Sequence, residues 1–206
     1  MSLGPEYFAT VYATSPDPWR LASRWYEARK YALSAALLPR PRYRRAFEPG
    51  CSIGVLTELL ASRCDSLLAC DVAPTAVQAA ARRTSALPHV RVARRRLPAD
   101  WPGGTFDLIV LSEVLYYFSK EDLGEVLDRS MVALEDGGTL LAVHWRHPVA
   151  DYPLGGDEAH RALARRPELT LVADHAEPDF LAQVYVRAPQ GTDPVSLSVA
   201  TREGLA

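Results

Sequence analysis

Apolar runs without a helical period alternate with amphipathic stretches along most of this 206-residue chain. The apolar runs predict strands because they are short and bounded by turn residues. Seven such strands cover residues 45–48, 66–71, 90–93, 106–112, 139–144, 169–173 and 181–186. Apolar residues that recur on one helical face predict helices at 54–63, 74–85, 120–134 and 157–165. Strands that alternate with helices form a mostly parallel sheet with helices on both faces, so the predicted fold class is α/β.

The two ends of the chain depart from this alternation. Only residues 174–180 separate the last two strands, which is too short for a crossover helix, so we expect these strands to pair antiparallel. Residues 1–43 are rich in aromatic residues and arginine and contain a predicted helix at 18–38. We interpret residues 1–43 as a helical cap on the same domain, which itself covers 44–188, and residues 189–206 as a C-terminal tail.

Composition limits the partners of the protein. The chain carries 23 Lys and Arg against 25 Asp and Glu, a formal net charge of −2, which provides no bulk attraction to nucleic acid or to an anionic membrane. No apolar stretch is long enough to span a bilayer, and the first residues lack the pattern of a secretory signal. Three cysteines at spacings that match no zinc pattern favour free thiols, no metal site and a cytoplasmic location.

The candidate chemistry begins at residues 48–54 (EPGCSIG), between the first strand and the first helix of the alternation. Gly50 and Gly54 allow a tight turn and a close approach of a ligand, and the following helix directs its positive end at that ligand. A dinucleotide site requires G-x-G-x-x-G at this place. Here Glu48 stands at the strand end, where a carboxylate repels a pyrophosphate but suits a ligand with an ammonium and a sulfonium.

A second carboxylate, Asp71, ends the next predicted strand and can accept two ribose hydroxyls. An adenosyl group joined to a cationic amino acid is S-adenosylmethionine, which is therefore the predicted cofactor, with S-adenosylhomocysteine as its product. The cofactor residues predicted around these two strand ends are Glu48, Gly50, Cys51, Ser52, Gly54, Asp71 and Val72.

Residues 44–145 resemble a class I S-adenosylmethionine-dependent methyltransferase. The matching motifs are residues 48–54, then Asp71, then 106–110 (FDLIV), then 134–140 (LEDGGTL), in the order of that superfamily. This resemblance implies a Rossmann-like methyltransferase fold with the last strand of its seven-stranded sheet antiparallel.

A narrower resemblance rests on residues 17–19 (DPW), 25–27 (WYE) and 111–117 (LSEVLYY) together with the glycine loop. These segments are similar to the nodulation protein S (NodS-like) family, small N-methyltransferases that act on an amino sugar of a chitooligosaccharide. The likeness covers about residues 10–145 and is weak beyond them. It implies a small-molecule methyl acceptor.

The sequence departs from many relatives after the third strand. Those relatives place an acidic residue there for the adenine amino group, whereas this chain has no carboxylate before Asp100. Backbone groups near Arg96 and Leu97, or Asp100 itself, are the alternatives for holding adenine. Three further residues complete the predicted cofactor set: Ser112, whose carbonyl can accept from the methionyl ammonium, and Trp19 and Arg24, which can close over the cofactor.

The candidate acceptor residues follow the fourth and fifth strands. Methyl transfer is an in-line displacement that needs a deprotonated nucleophile close to the methyl group. A histidine can take up the proton, and Glu113 can bind an acceptor amine. The predicted catalytic residues are His144, His147 and Glu113, and the predicted substrate residues are Tyr116, Tyr117, Trp145 and His160.

Three functions remain open from the sequence. The first is methyl transfer to an amine or hydroxyl of a small molecule such as an amino sugar or oligosaccharide. The second is methylation of nucleic acid, RNA in particular, which the near-neutral charge disfavours. The third is a partner subunit that binds S-adenosylmethionine without catalysis. A nicotinamide dehydrogenase is excluded by Glu48 and by the missing third glycine. The oligomeric state stays open.

Overall fold

A seven-stranded sheet in the order β3-β2-β1-β4-β5-β7-β6 forms the centre of the computed structural model, which describes residues 1–189 and 191–205. The strands are β1 (Ala46–Pro49), β2 (Leu67–Asp71), β3 (Val90–Arg94), β4 (Phe106–Ser112), β5 (Leu134–Trp145), β6 (Leu169–Ala176) and β7 (Phe180–Arg187). Strands β1 to β5 pair in parallel, and β7 pairs antiparallel with both β5 and β6. The predicted fold class and the antiparallel last strand are confirmed.

Helices cover both faces of this sheet. They are α1 (Pro5–Thr14), α2 (Trp25–Leu37), α3 (Val55–Ala61), α4 (Pro74–Arg83), α5 (Lys120–Ala133), α6 (Gly156–Ala164) and the short α7 (Val199–Arg202). The central strand β4 explains the two-sided cover. Leu108 and Val110 belong to the core cluster beneath α2 and α3, whereas Ile109 and Leu111 belong to the cluster beneath α5 and α6. A strand buried on both faces is apolar at successive positions, which is why its sequence showed no alternation.

The N-terminal cap differs from its predicted form. In place of one helix over 18–38, the cap contains α1 and α2 with a turn between them. The Asp17 carboxylate accepts hydrogen bonds from the Leu21 and Ala22 amides at 2.8 and 3.0 Å, so this residue stabilises a turn instead of starting a helix. Pro5 stands in the first turn of α1, a position that proline favours.

The sequence Asp136-Gly137-Gly138 also behaves differently from its prediction. The predicted helix at 120–134 and strand at 139–144 leave residues 135–138 outside both elements, but β5 begins at Leu134 and continues through both glycines. Gly137 has a φ of 70°, and the pairing with β4 shifts register between Phe106 and Leu108. The glycines therefore form an irregularity within a strand, which glycine permits because it has no Cβ.

The predicted C-terminal tail begins with a 3-10 turn at Pro194–Leu197, followed by α7. No helix within 1–189 and 191–205 is long and apolar enough to cross a membrane.

Candidate functional site

A cavity of about 910 Å³ lies at the carboxyl ends of the parallel strands, and the N-terminal cap covers it. Its floor comes from residues at or just after the ends of β1, β2, β4 and β5, and these include Glu48, Asp71, Ser112 and Trp145. Its cover comes from α1, α2 and the turn between them. The carboxyl ends of strands in an open α/β sheet are the usual place for a ligand, and this volume suits a small molecule.

The glycine loop adopts the conformation that its residues allow. Gly50 has a φ of 74°, and a Cβ there would lie 3.0 Å from Val114 Cγ2. Gly54 has a φ of 81°, and its Cβ would lie 2.9 Å from the Ala80 Cα. Both positions therefore require glycine for two reasons, the left-handed backbone and the close neighbour. Gly50 lines the cavity, whereas Gly54 instead lets helix α3 pack against α4.

Glu48 is almost completely buried at the cavity floor, with 2% of its surface exposed. Burial raises the pKa of Glu48 to about 7, and Thr57 lowers it by less. The Thr57 hydroxyl nevertheless makes no hydrogen bond of acceptable geometry with the described residues, and neither does Glu48 Oε2. A buried carboxyl oxygen without a donor is costly, and a cationic ligand in the cavity would satisfy it.

Asp71 is held by the backbone of two loops. Its Oδ2 accepts from the Ser52 amide and its Oδ1 from the Ala73 amide, both at 2.9 Å. Burial raises the pKa of Asp71, and these amide hydrogen bonds lower it. Each carboxylate oxygen has a second lone pair, so Asp71 keeps acceptor capacity for two ligand hydroxyls.

The residues present therefore fit S-adenosylmethionine. The buried Glu48 carboxyl has no hydrogen-bond donor for its Oε2 among the described residues and would be satisfied by a cation. The Asp71 carboxylate, which two backbone amides hold in place, can accept hydroxyls. All predicted cofactor residues except Gly54 line the cavity: Trp19, Arg24, Glu48, Gly50, Cys51, Ser52, Asp71, Val72, Arg96, Leu97 and Ser112. Burial raises the pKa of Cys51 well above its ordinary value, so this residue contributes an inert thiol.

The geometry also distinguishes between the two groups that could hold adenine, the backbone near Arg96 and Leu97 and the Asp100 side chain. Arg96 and Leu97 line the cavity, whereas Asp100, within the described chain, does not. The Asp100 carboxylate accepts a hydrogen bond from the Arg96 amide at 3.0 Å. Asp100 thus shapes the loop, and the loop itself contributes the cavity wall.

Glu113 is the predicted catalytic residue that the structure places in the cavity wall. It has a φ of 53° at the end of β4, a left-handed conformation that is uncommon for residues other than glycine. Its Oε1 accepts from Lys30 Nζ at 2.5 Å. Its Oε2 accepts from the Trp145 amide at 3.0 Å and from the Tyr116 hydroxyl. The carboxylate is therefore ordered by donors from three parts of the chain.

Sequence reasoning missed two charged residues on α2 that line the same cavity. Lys30 is only 2% exposed, and its Nζ lies 3.0 Å from the Glu27 carboxylate. Burial alone would lower the pKa of Lys30, but Glu113 and Glu27 outweigh it and raise that pKa. The i, i+3 spacing of Glu27 and Lys30 was a signal for an ion pair, but nothing in the sequence identified it as buried.

Two predicted histidines lie outside this cavity. His144 is fully buried, and its Nε2 accepts from the Leu115 amide at 3.1 Å. Its Nδ1 lies 3.0 Å from His160 Nε2, and His160 Nδ1 lies 2.7 Å from Gln183 Oε1. Because an amide can only donate, Nε2 of His144 must accept and its Nδ1 carries the proton.

This hydrogen-bond chain leaves neither histidine a free lone pair. Burial lowers the pKa of His144 well below its ordinary value and also lowers that of His160. The geometry therefore corrects two expectations: it does not support His144 as a general base or His160 as a substrate residue. Both hold α6 and β5 together.

A side chamber of about 260 Å³ adjoins the main cavity and shares Tyr116, Trp145, Val149 and Tyr152 with it. His147 lines this chamber, half of its side chain is exposed, and its Nε2 lies 2.8 Å from Asp179 Oδ1. Tyr117 lines the main cavity, as does Asp179. His147 therefore lines the side chamber and not the wall of the main cavity.

The comparison with protein families finds a match over most of this chain. The family model described as "Nodulation protein S (NodS)" matches residues 12–150. Nodulation protein S of Bradyrhizobium diazoefficiens is 36% identical over 102 residues, which are 49% of this chain and 49% of that relative. Nodulation protein S of Rhizobium tropici is 34% identical over 116 residues, 56% of this chain and 47% of that relative. The chain thus spans about half the length of the curated relatives it matches.

Solved structures match over more of the chain. A crystal structure of a candidate methyltransferase from Pseudomonas syringae is 46% identical with a TM-score of 0.72, covering 80% of this chain and 100% of that one. The N-methyltransferase NodS from Bradyrhizobium japonicum WM9, in complex with S-adenosylhomocysteine, is 26% identical with a TM-score of 0.78. That match covers 87% of this chain and 98% of the Bradyrhizobium chain.

Proposed function

This chain belongs to the nodulation protein S family, and from that premise we propose that it is an S-adenosylmethionine-dependent methyltransferase acting on an amine of a small molecule. The acceptor that we propose is an amino sugar within an oligosaccharide. The observation that carries the proposal is the buried Glu48 carboxyl at the cavity floor, whose Oε2 has no hydrogen-bond donor in the described part of the chain.

The cofactor end supplies binding and orientation. Bound S-adenosylmethionine supplies a methyl group on a sulfonium, which is the electrophile of the reaction. Ionised Glu48 attracts the cationic amino-acid portion, and Asp71 accepts the ribose hydroxyls. The loop at Arg96 and Leu97 contributes the adenine wall, and Trp19 covers the site from the cap.

The acceptor end holds the nucleophile. Lys30, Tyr116 and the Trp145 amide hold the Glu113 carboxylate in one position in the cavity wall, where it can accept from an amine. An ammonium group has no lone pair, so it must lose a proton before the resulting amine can attack the methyl group, and Glu113 and the His147–Asp179 pair are the candidates to take that proton. Proximity and orientation supply much of the rate in such a transfer.

Aromatic rings favour a sugar at this end. Tyr116 and Tyr152 stack with ring centroids 4.9 Å apart, and both line the cavity with Tyr117 and Trp145. Sugar rings present apolar C–H faces and polar edges, so a wall of aromatic rings beside hydrogen-bonding groups suits them.

A mass-spectrometric assay tests the proposal. The protein is incubated with S-adenosylmethionine and a chitosan tetramer, whose sugars carry free amines, and separately with the fully N-acetylated chitin tetramer. We expect one methyl group on the chitosan tetramer and none on the acetylated control. Methylation of RNA in a parallel reaction, with neither sugar modified, would overturn the small-molecule acceptor. Failure of calorimetry to detect S-adenosylhomocysteine binding would overturn the cofactor.

A further inference from the structure

An ion cluster at the cavity wall consists of the buried residues Glu27 and Lys30 of α2 and the partly buried Glu113. Lys30 Nζ lies 2.5 Å from Glu113 Oε1 and 3.0 Å from Glu27 Oε2. Glu27 is 6% exposed and Lys30 is 2% exposed, and all three residues line the main cavity. The cluster therefore connects the cap to the end of β4 and borders the space where a ligand binds.

The charges of this cluster do not balance. Two carboxylates share one ammonium, which leaves one negative charge without a partner. In the part of the chain that the structure describes, the ion pairs of Glu27 and Glu113 involve Lys30 alone. A buried charge without a counter-ion is unfavourable, so the cluster favours a second cation supplied by a ligand.

Two polar atoms beside the cluster are also unsatisfied. Glu27 Oε2, despite its distance to Lys30, accepts no hydrogen bond of acceptable geometry from the described residues, and the buried Tyr26 hydroxyl has no partner there either. These atoms belong to neighbouring residues of one helix turn at the cavity wall. Their needs are complementary to an ammonium group with several N–H donors.

Aromatic rings surround the same position. Lys30 Nζ lies 5.1 Å from the centroid of the Tyr26 ring and 5.7 Å from that of Tyr31. The Tyr26 ring also contacts Trp145 edge-on, at a centroid distance of 5.5 Å. Aromatic faces attract cations, so the site already stabilises one ammonium and offers rings to another.

We propose that Glu27 and the Tyr26 hydroxyl form the subsite that binds the ammonium group of the methyl acceptor, next to Lys30 and the Glu113 carboxylate that it contacts. This inference rests on the proposed function because it assigns the residues that recruit the proposed amine. The site takes a primary ammonium on a small polar molecule. A purely structural cluster, in contrast, would tie the cap to β4 without affecting acceptor binding.

Calorimetry and steady-state kinetics on the S-adenosylhomocysteine-bound and active protein separate these two roles. The variant is Glu27→Gln, which keeps the shape of the side chain and removes the unbalanced charge. The matched control is Glu58→Gln, which removes a carboxylate on α3 that pairs at 3.0 Å with Arg83 of α4. A second variant, Tyr26→Phe, removes only the hydroxyl.

We expect Glu27→Gln to weaken chitosan tetramer binding and to raise its KM at least tenfold, and Tyr26→Phe to do so about threefold. Neither change should alter the affinity for S-adenosylhomocysteine, and Glu58→Gln should match the wild type in both measurements. Equal tetramer affinity in the wild type and Glu27→Gln would overturn the subsite while leaving the proposed function intact.

The other outcomes are equally decisive. If the wild type binds the tetramer without methylating it, the proposed function fails and the binding comparison still tests the subsite. If the cofactor-bound wild type binds neither the tetramer nor glucosamine, the subsite is overturned, because the site is defined by its affinity for an ammonium.

Discussion

The two ends of the cavity are built in different ways. At the cofactor end, backbone conformation shapes the glycine loop, with positive φ angles at Gly50, Ser52 and Gly54, and backbone amides hold the Asp71 carboxylate. At the acceptor end, side chains from α2, β4 and β5 meet through ion pairs and hydrogen bonds. A backbone-built site depends on local conformation, whereas a side-chain-built site depends on how distant segments dock.

The two ends of the cavity also differ in whether the protein supplies a counter-ion for the carboxylate. Glu48 at the cofactor end has no counter-ion in the described chain, and burial raises the pKa of this residue to about 7. Glu113 at the acceptor end carries its own counter-ion in Lys30. The cofactor end therefore depends on its ligand for a cation, whereas the acceptor end is partly neutralised within the protein. Removing the Lys30 charge at the acceptor end should therefore mainly affect stability, whereas removing the Glu48 charge should affect both stability and cofactor binding.

The largest expected effect follows removal of the internal cation. Lys30→Met leaves the buried Glu27 carboxylate and the partly buried Glu113 carboxylate without their shared cation, and we expect a loss of roughly 3–5 kcal/mol in the free energy of unfolding at pH 8. Urea denaturation of the variant and the wild type measures this loss. Lys120→Met, which removes an exposed lysine 3.6 Å from Glu158, is the control and should unfold like the wild type.

The next effect has opposite signs for stability and binding. Because burial raises the pKa of Glu48 from 4.5 to about 7, ionising this group costs stability as the pH rises through that interval. Glu48→Gln should therefore stabilise the ligand-free protein by up to about 3 kcal/mol at pH 8, and by much less at pH 4. The same variant should bind S-adenosylmethionine more weakly, and it should lack the gain in affinity that we expect of the wild type as the pH rises through 7 and Glu48 ionises.

Thermal and urea unfolding of the ligand-free variant measure the change in stability, and calorimetry measures the change in cofactor affinity. If the variant loses stability at pH 8, Glu48 has a stabilising partner within the protein. If the variant binds the cofactor as well as the wild type, Glu48 does not face a cationic ligand.

A smaller effect is expected at the second carboxylate. Asp71→Asn keeps the shape of the side chain but replaces one acceptor oxygen by a donor, so we expect cofactor affinity to fall by roughly 1–3 kcal/mol. Calorimetry with S-adenosylhomocysteine measures the change. Asp65→Asn, at an exposed carboxylate that pairs with Arg42, is the control. Equal effects of the two substitutions would place the ribose elsewhere.

The cofactor end was largely predictable, and the acceptor end was not. The short strands, the glycine loop and the carboxylates at the ends of β1 and β2 depend on local patterns. His144 shows where such reasoning stops. Side chains alternate between the two faces of a strand, and His144 shares the face of Leu140 and Ala142 in the core beneath α6. Both His144 and Trp145 were predicted from the sequence to lie at the site, but the packing of the strand places only Trp145 in the cavity wall.

The sequence by itself determined the alternation of strands and helices, the antiparallel last strand and the positions where only glycine fits, because apolar periodicity and backbone conformation are local properties. The tertiary structure alone decided the partners of the charged side chains. Lys30 and Glu113 are 83 residues apart, and they meet only because the cap docks over the end of β4. A buried charge is defined by what surrounds it, and those surroundings exist only in the folded chain.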